Sequence, residues 1–198
     1  MPKIQFWYEF ASNYSYLAAM RVEALAAPLG IEVEWKPFRL GPLFAAQGWT
    51  TSPFKLYPAK GRHMLRDMER ICHDRGIPFR MPAAFPQNSV RAARLALIGA
   101  EEGWAPVFTK AVYRLEFGEG RPLDDTAVAQ ALAEAGQDVE AQLSRSETPE
   151  LKQKLRAQTE HAQALGVFGA PTFVTPHGEL FWGDDRLEQA LDWCRRGA

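Results

Sequence analysis

Glu9-Phe10-Ala11-Ser12-Asn13-Tyr14-Ser15-Tyr16-Leu17 lies where a strand pattern gives way to a helix pattern. Upstream, Ile4, Phe6, Tyr8 and Phe10 alternate with Gln5, Trp7 and Glu9, and a period of two reads as a strand. From Tyr14 the chain runs Tyr-Ser-Tyr-Leu-Ala-Ala-Met-Arg-Val-Glu-Ala-Leu, rich in helix formers, until Gly30 stops it. Ser12 falls on the joint. Its hydroxyl is placed to cap the first turn by accepting a bond from the amide of Tyr14 or Ser15. Free N–H groups and the helix dipole also suit that place to an anion. On these residues alone, Ser12 reads either as a plain cap or as part of an anion site.

Working outward, Ile31-Glu32-Val33-Glu34-Trp35 alternates again, and strand–helix–strand implies a right-handed parallel unit. Lys36-Pro37-Phe38 ends that strand. Residues 40–58, with Gly41-Pro42, Gly48, Pro53 and Pro58, read as a long irregular connection. Helical spacing then dominates: Lys60 to Arg75, a helix opened by Asn88 or Ser89, Ala105 to Phe117, one capped by Asp124 or Asp125, and two more near 138–144 and 149–165. Thr172-Phe173-Val174-Thr175 and Glu179-Leu180-Phe181-Trp182 flank the turn Pro176-His177-Gly178 as a hairpin, and Gly183-Asp184-Asp185 opens a last helix. The plan is an α/β sheet unit (1–40 and 166–198) carrying a helical insertion (41–165).

Composition bounds the function. The chain has 198 residues, 46% hydrophobic and 24% charged, enough for one well-buried core. A net charge of −1 gives no reason to expect nucleic acid or an anionic membrane as partner. No apolar run approaches the roughly 20 residues of a membrane span, and the chain opens directly on a strand, so a cytoplasmic location is expected. Cys72 and Cys194 form no Cys-x-x-Cys motif, which excludes the usual dithiol–disulfide chemistry. The four histidines have no metal-ligand spacing, so no metal site is expected.

Four stretches in order carry a resemblance: Phe10 to Leu17; Pro58-Ala59-Lys60-Gly61-Arg62-His63-Met64-Leu65-Arg66-Asp67-Met68; Gly166-Val167-Phe168-Gly169-Ala170-Pro171-Thr172-Phe173; and Trp182-Gly183-Asp184-Asp185-Arg186. With them the chain resembles the DsbA-like branch of the thioredoxin superfamily. Within it, the chain is similar to the group of 2-hydroxychromene-2-carboxylate isomerases and kappa-class glutathione transferases. One departure is Asn13, where the family often has proline.

The resemblance implies a thioredoxin-like fold with a large all-helical insertion, glutathione as cofactor, and isomerisation by reversible thiolate addition. In the family a serine replaces the first cysteine of Cys-x-x-Cys; here that is Ser12, which would activate glutathione by donating to its sulfur. Ala170-Pro171 matches the cis-proline loop, whose backbone would pair with the cysteinyl unit of glutathione. Trp182, Gly183, Asp184 and Asp185 would hold its γ-glutamyl end, and Lys60 would face the glycyl carboxylate or an acidic substrate. Lys36, Arg39, Trp49 and Asn88 are candidates for a pocket taking an aromatic carboxylate, with Trp49 stacking on it. A kappa-like transferase and a thioredoxin-fold binding or chaperone module are the competing readings. A homodimer built on the helical block is left open.

Overall fold

The computed structural model describes residues 1–196. Strands β1 (Lys3–Tyr8), β2 (Glu32–Pro37), β3 (Thr172–Val174) and β4 (Leu180–Trp182) form one sheet in the order β2-β1-β3-β4. β1 runs parallel to β2 with Phe6 opposite Trp35, and antiparallel to β3 with Phe6 opposite Phe173. β3 and β4 form the expected hairpin. Pro37 is tolerated because β2 is an edge strand, where a missing N–H leaves no ladder bond unmade.

Helices α1 (Asn13–Ala19) and α2 (Val22–Ala26) connect β1 to β2. Between β2 and β3 come α3 (Leu40–Ala46), α4 (Pro53–Leu56), α5 (Pro58–Arg75), α6 (Val90–Glu102), α7 (Ala105–Tyr113), α8 (Asp125–Glu134), α9 (Val139–Ser146) and α10 (Pro149–Ala164). Helix α11 (Leu187–Arg196) follows β4. This is a thioredoxin-like sheet interrupted by a helical block. The main core joins the two parts: Phe10 meets Phe108 and Tyr113 edge-on or tilted, and Phe6 stacks on Tyr8 and Phe173. Among the described residues, no helix is long and apolar enough to cross a membrane.

Two sequence expectations are corrected by packing. The helix expected from Tyr14 to Gly30 breaks at Arg21 (φ −131°, ψ −15°), whose side chain turns to Asp184 and Glu188. The connection over 40–58 is not irregular throughout. It holds α3 and α4, because Pro42 lies in the first turn of α3, where its missing N–H costs nothing, and Leu43 is buried. The strand read from alternation is β1, and it is buried on both of its faces. Trp7 is fully buried in a second core with Phe38, Leu43, Ala162, Val167 and Val174, and Glu9 is buried as well. Helical cover on both faces of a central strand removes the contrast that a period of two reports.

The last turn after α7 widens into a π-helical turn, Arg114–Gly118, which carries Glu116 into the interior. Its Oε1 accepts from Gln87 Nε2 at 3.1 Å, while Oε2 has no partner among the described residues. Burial pushes this carboxyl well above the usual carboxylate range, opposed by the Gln87 bond and reinforced by Glu9. A folded pKa above the unfolded one means the neutral acid is favoured by folding. Its contribution is complete below the unfolded value, near pH 4.3, and is lost as pH rises toward the folded one. Urea unfolding of Glu116→Gln and the parent from about pH 4 to about pH 8 should show the variant gaining relative stability as pH rises. A difference that stays constant with pH would contradict this account of Glu116.

Candidate functional site

Ser12 is extended (φ −110°, ψ 111°) and caps α1 by accepting from the Ser15 N–H at 3.2 Å. Its hydroxyl donates to the Ala170 carbonyl at 3.0 Å. The strand–helix joint is thereby tied to the loop entering β3. In that loop the Ala170–Pro171 peptide is cis. The loop is fixed by Thr172 Oγ1 donating to the Gly169 carbonyl at 2.8 Å and by the Gly183 N–H donating to the Pro171 carbonyl at 2.9 Å. The N–H of Ala170 has no partner among the described residues.

Ser12 and Ala170 stand on the wall of a cavity of about 1360 Å³, far larger than the other cavity described, near 170 Å³. Of the residues singled out in the sequence, Ser12, Arg39, Trp49, Lys60, Ala170, Pro171, Trp182, Gly183, Asp184 and Asp185 all line it. Lys36 and Asn88 do not. Lys36 lies on β2 with its ammonium 3.3 Å from Glu34, on a strand whose ladder fixes its direction. The Asn88 side chain turns back to accept from the Val90 N–H at 3.1 Å, a local cap that withdraws it from the cavity. Its neighbours Gln87 and Ser89 line the wall instead.

The two acids at the last helix differ. Asp184 is buried and saturated: Arg21 Nε donates to Oδ1 at 3.0 Å and Arg75 to Oδ2 at 2.7 Å, and a second Arg21 nitrogen donates to the Asp184 carbonyl at 2.7 Å. Asp185 is exposed, with Arg186 3.4 Å away. The intervening geometry needs glycine: Gly183 has φ 111°, and a β-carbon there would collide with the Asp185 carboxylate. Trp182 is exposed on the rim and packs at 5.1 Å against exposed Phe168. Lys60 sits in the first turn of α5 with its ammonium 5.0 Å from the centre of the Tyr57 ring and no carboxylate partner among the described residues. Trp49 packs on Phe44 at 5.6 Å.

The residue that sequence reading passed over is Glu9. Its Oε2 accepts from the Leu40 N–H at 2.9 Å and Arg39 Nε at 3.3 Å, its Oε1 from Ser89 Oγ, and its carbonyl from Tyr113 Oη at 2.8 Å. One buried carboxylate thus holds two distant segments of the cavity wall, Arg39–Leu40 and Ser89. A polar residue in strand alternation gave no sign of this, because the donors come from residues about 30 to 100 positions away. Cys72 and Cys194 are free and buried, and burial pushes the Cys72 thiol up to about 11, so neither supplies a thiolate at neutral pH.

The sequence matches the family described as "DSBA-like thioredoxin domain" over residues 3–193. It is 29% identical to a 2-hydroxychromene-2-carboxylate isomerase of Sphingobium xenophagum over 93% of this chain and 94% of that one. It is 25% identical to glutathione S-transferase kappa 2 of Caenorhabditis elegans, over 96% of this chain and 90% of that one. Among solved structures, that of a 2-hydroxychromene-2-carboxylate isomerase superposes with a TM-score of 0.87 at 26% identity, covering 98% of this chain and 97% of the other.

The double clamp on Asp184 has a direct consequence. Asp184→Ala removes the buried anion that Arg21 and Arg75 share, leaving Arg21 with Glu188 and Arg75 with no carboxylate partner among the described residues. The cost should be about 3 kcal/mol, the low end for a broken buried pair because both arginines keep some water. Denaturant unfolding measures it, and a loss under about 1 kcal/mol would mean the clamp behaves as a surface pair.

Proposed function

The chain belongs to the DsbA-like thioredoxin domain family, and within it we propose a glutathione-dependent cis–trans isomerase acting on 2-hydroxychromene-2-carboxylate or a similar ring-opened aromatic pyruvate. The observation that carries this reading is the Ser12 hydroxyl, held between the Ser15 N–H and the Ala170 carbonyl on the wall of the large cavity, with no cysteine beside it. The relatives named as isomerases and kappa transferases support it.

The residues present fit glutathione in four respects. Ala170 has an idle backbone N–H for the cysteinyl carbonyl. Ser12 offers the only side-chain hydroxyl bonded to that same loop among the described hydrogen bonds, apart from Thr172 within it. Asp185 is open to an ammonium, whereas Asp184 is already taken by two arginines and serves to hold the helix start in place. Lys60 is a cation free to meet a carboxylate. When bound, glutathione supplies a thiolate whose reversible addition makes a conjugated double bond rotatable.

The protein's own groups do the rest. Ser12 turns its O–H from the Ala170 carbonyl to the sulfur and stabilises negative charge there by donating a hydrogen bond. Arg39, whose Nε is fixed by Glu9, turns its remaining donors to a substrate carboxylate. Trp49 and the Phe168–Trp182 pair offer aromatic faces to the ring. The walls hold the two reactants together in one orientation.

The kappa-transferase reading shares this site and differs in releasing a conjugate, so the mass of the product separates the two. Assayed with glutathione and the chromene carboxylate, the protein should give an isomer of unchanged mass. Ser12→Ala should lower kcat about 10²- to 10³-fold, as for a lost oxyanion donor, while losing only the stability of a helix cap, about 1 kcal/mol. Full activity in Ser12→Ala would remove Ser12 from the chemistry.

A further inference from the structure

Asn13 follows Ser12 directly and is 1% exposed. Neither its amide nitrogen nor its amide oxygen has a hydrogen-bond partner among the described residues. Buried side-chain atoms without partners also occur on Ser15, Arg94, Glu116 and Trp193, but of these five residues Asn13 alone lines the large cavity. Leaving an amide buried and unbonded costs folding free energy that an apolar side chain of similar size would not. Such a cost, placed beside the proposed reactive serine, is what a site tuned for a ligand and not for stability carries. Because no hydrogen bond holds the amide, turning it about χ1 or χ2 toward the cavity breaks none.

We propose that Asn13 is a substrate-binding residue that reads the keto oxygen of an aromatic 2-oxo acid, its amide N–H donating to that oxygen. This rests on the isomerase reading for the identity of the substrate class. The keto oxygen is the group that an amide donor beside Ser12 would serve. In the isomerisation, the electron pair displaced from the double bond as the C–S bond forms collects on the keto oxygen. It returns from there when the C–S bond breaks, with no net oxidation and no net proton change. That oxygen lies three bonds from the carbon that takes sulfur, so the residue adjoining Ser12 is near it whenever Ser12 faces the sulfur. A donor there favours 2-oxo acids over carboxylic acids of the same shape that lack the keto group, because the amide would otherwise stay unpaired.

The test needs no turnover. Calorimetry compares 2-oxo-4-phenylbutanoate with 4-phenylbutanoate as probes, for the parent and for Asn13→Leu. The parent should prefer the oxo acid by about tenfold in Kd, and Asn13→Leu should lose that preference while binding glutathione as the parent does. The unliganded Asn13→Leu protein should also melt at or above the parent's Tm, since the variant removes an unbonded polar group. Asn13→Ala, which removes the amide without refilling its volume, should lose the preference too. Preference absent in the parent, preference kept in both variants, or a lower Tm for Asn13→Leu would each overturn the role. A parent that prefers the oxo acid but binds no glutathione would sink the isomerase reading and leave Asn13 as an oxo-acid ligand.

Discussion

The hydrogen bond from Ser12 to the Ala170 carbonyl joins residues 158 positions apart, at the point where the first helix meets the loop that feeds the third strand. Each end is set by a different part of the fold. Ser12 is fixed by its cap on α1 and by its own N–H bonded to the Glu9 carbonyl at 2.9 Å. Ala170 lies in the loop ahead of β3, which Gly183, just past β4, holds by donating to the Pro171 carbonyl at 2.9 Å. The sheet order brings the two together, because β1 and β3 are adjacent and antiparallel. One hydroxyl hydrogen bond spans them, and anything that takes over the Ala170 carbonyl frees that donor for a new acceptor.

Two buried carboxylates keep the surroundings of this bond in place. Glu9 gathers Arg39, Leu40 and Ser89 behind the serine, and Asp184 gathers Arg21 and Arg75 behind the proline loop. Both are positions where an anion without its donors would be costly, so each enforces the approach of segments far apart in sequence. The helical block is thus bound to the sheet unit by charge as well as by the aromatic packing of Phe10 on Phe108 and Tyr113. The break in the first helix falls at Arg21, the residue whose guanidinium reaches both the carboxylate and the carbonyl of Asp184.

Much of this was legible in the sequence. The strand–helix joint, the cap at Ser12, the hairpin around Pro176-His177-Gly178 and the helix stops at Gly76 and Gly103 all rest on local chemistry: capping oxygens, β-branched alternation and glycine at positive φ. The motifs around Ala170 and Trp182 were visible as a pattern in order. Hidden were the features that depend on partners distant in sequence. Nothing local distinguishes Asp184 from Asp185, yet one is clamped by two arginines and the other faces solvent. Glu9 stood out only as one residue of an alternating strand pattern and is the anchor of the cavity wall. Lys36 and Asn88 lay close to the right segments, but the strand ladder and a local cap turn their side chains elsewhere.

The central claim is that Ser12 stabilises a thiolate brought in by a bound tripeptide. Ultraviolet titration of glutathione bound to the protein follows thiolate formation directly. The account predicts a thiol pKa below the ordinary cysteine value of about 8.5, with the depression largely lost in Ser12→Ala. A bound thiol that titrates at its free value, or one depressed equally in both proteins, would contradict it.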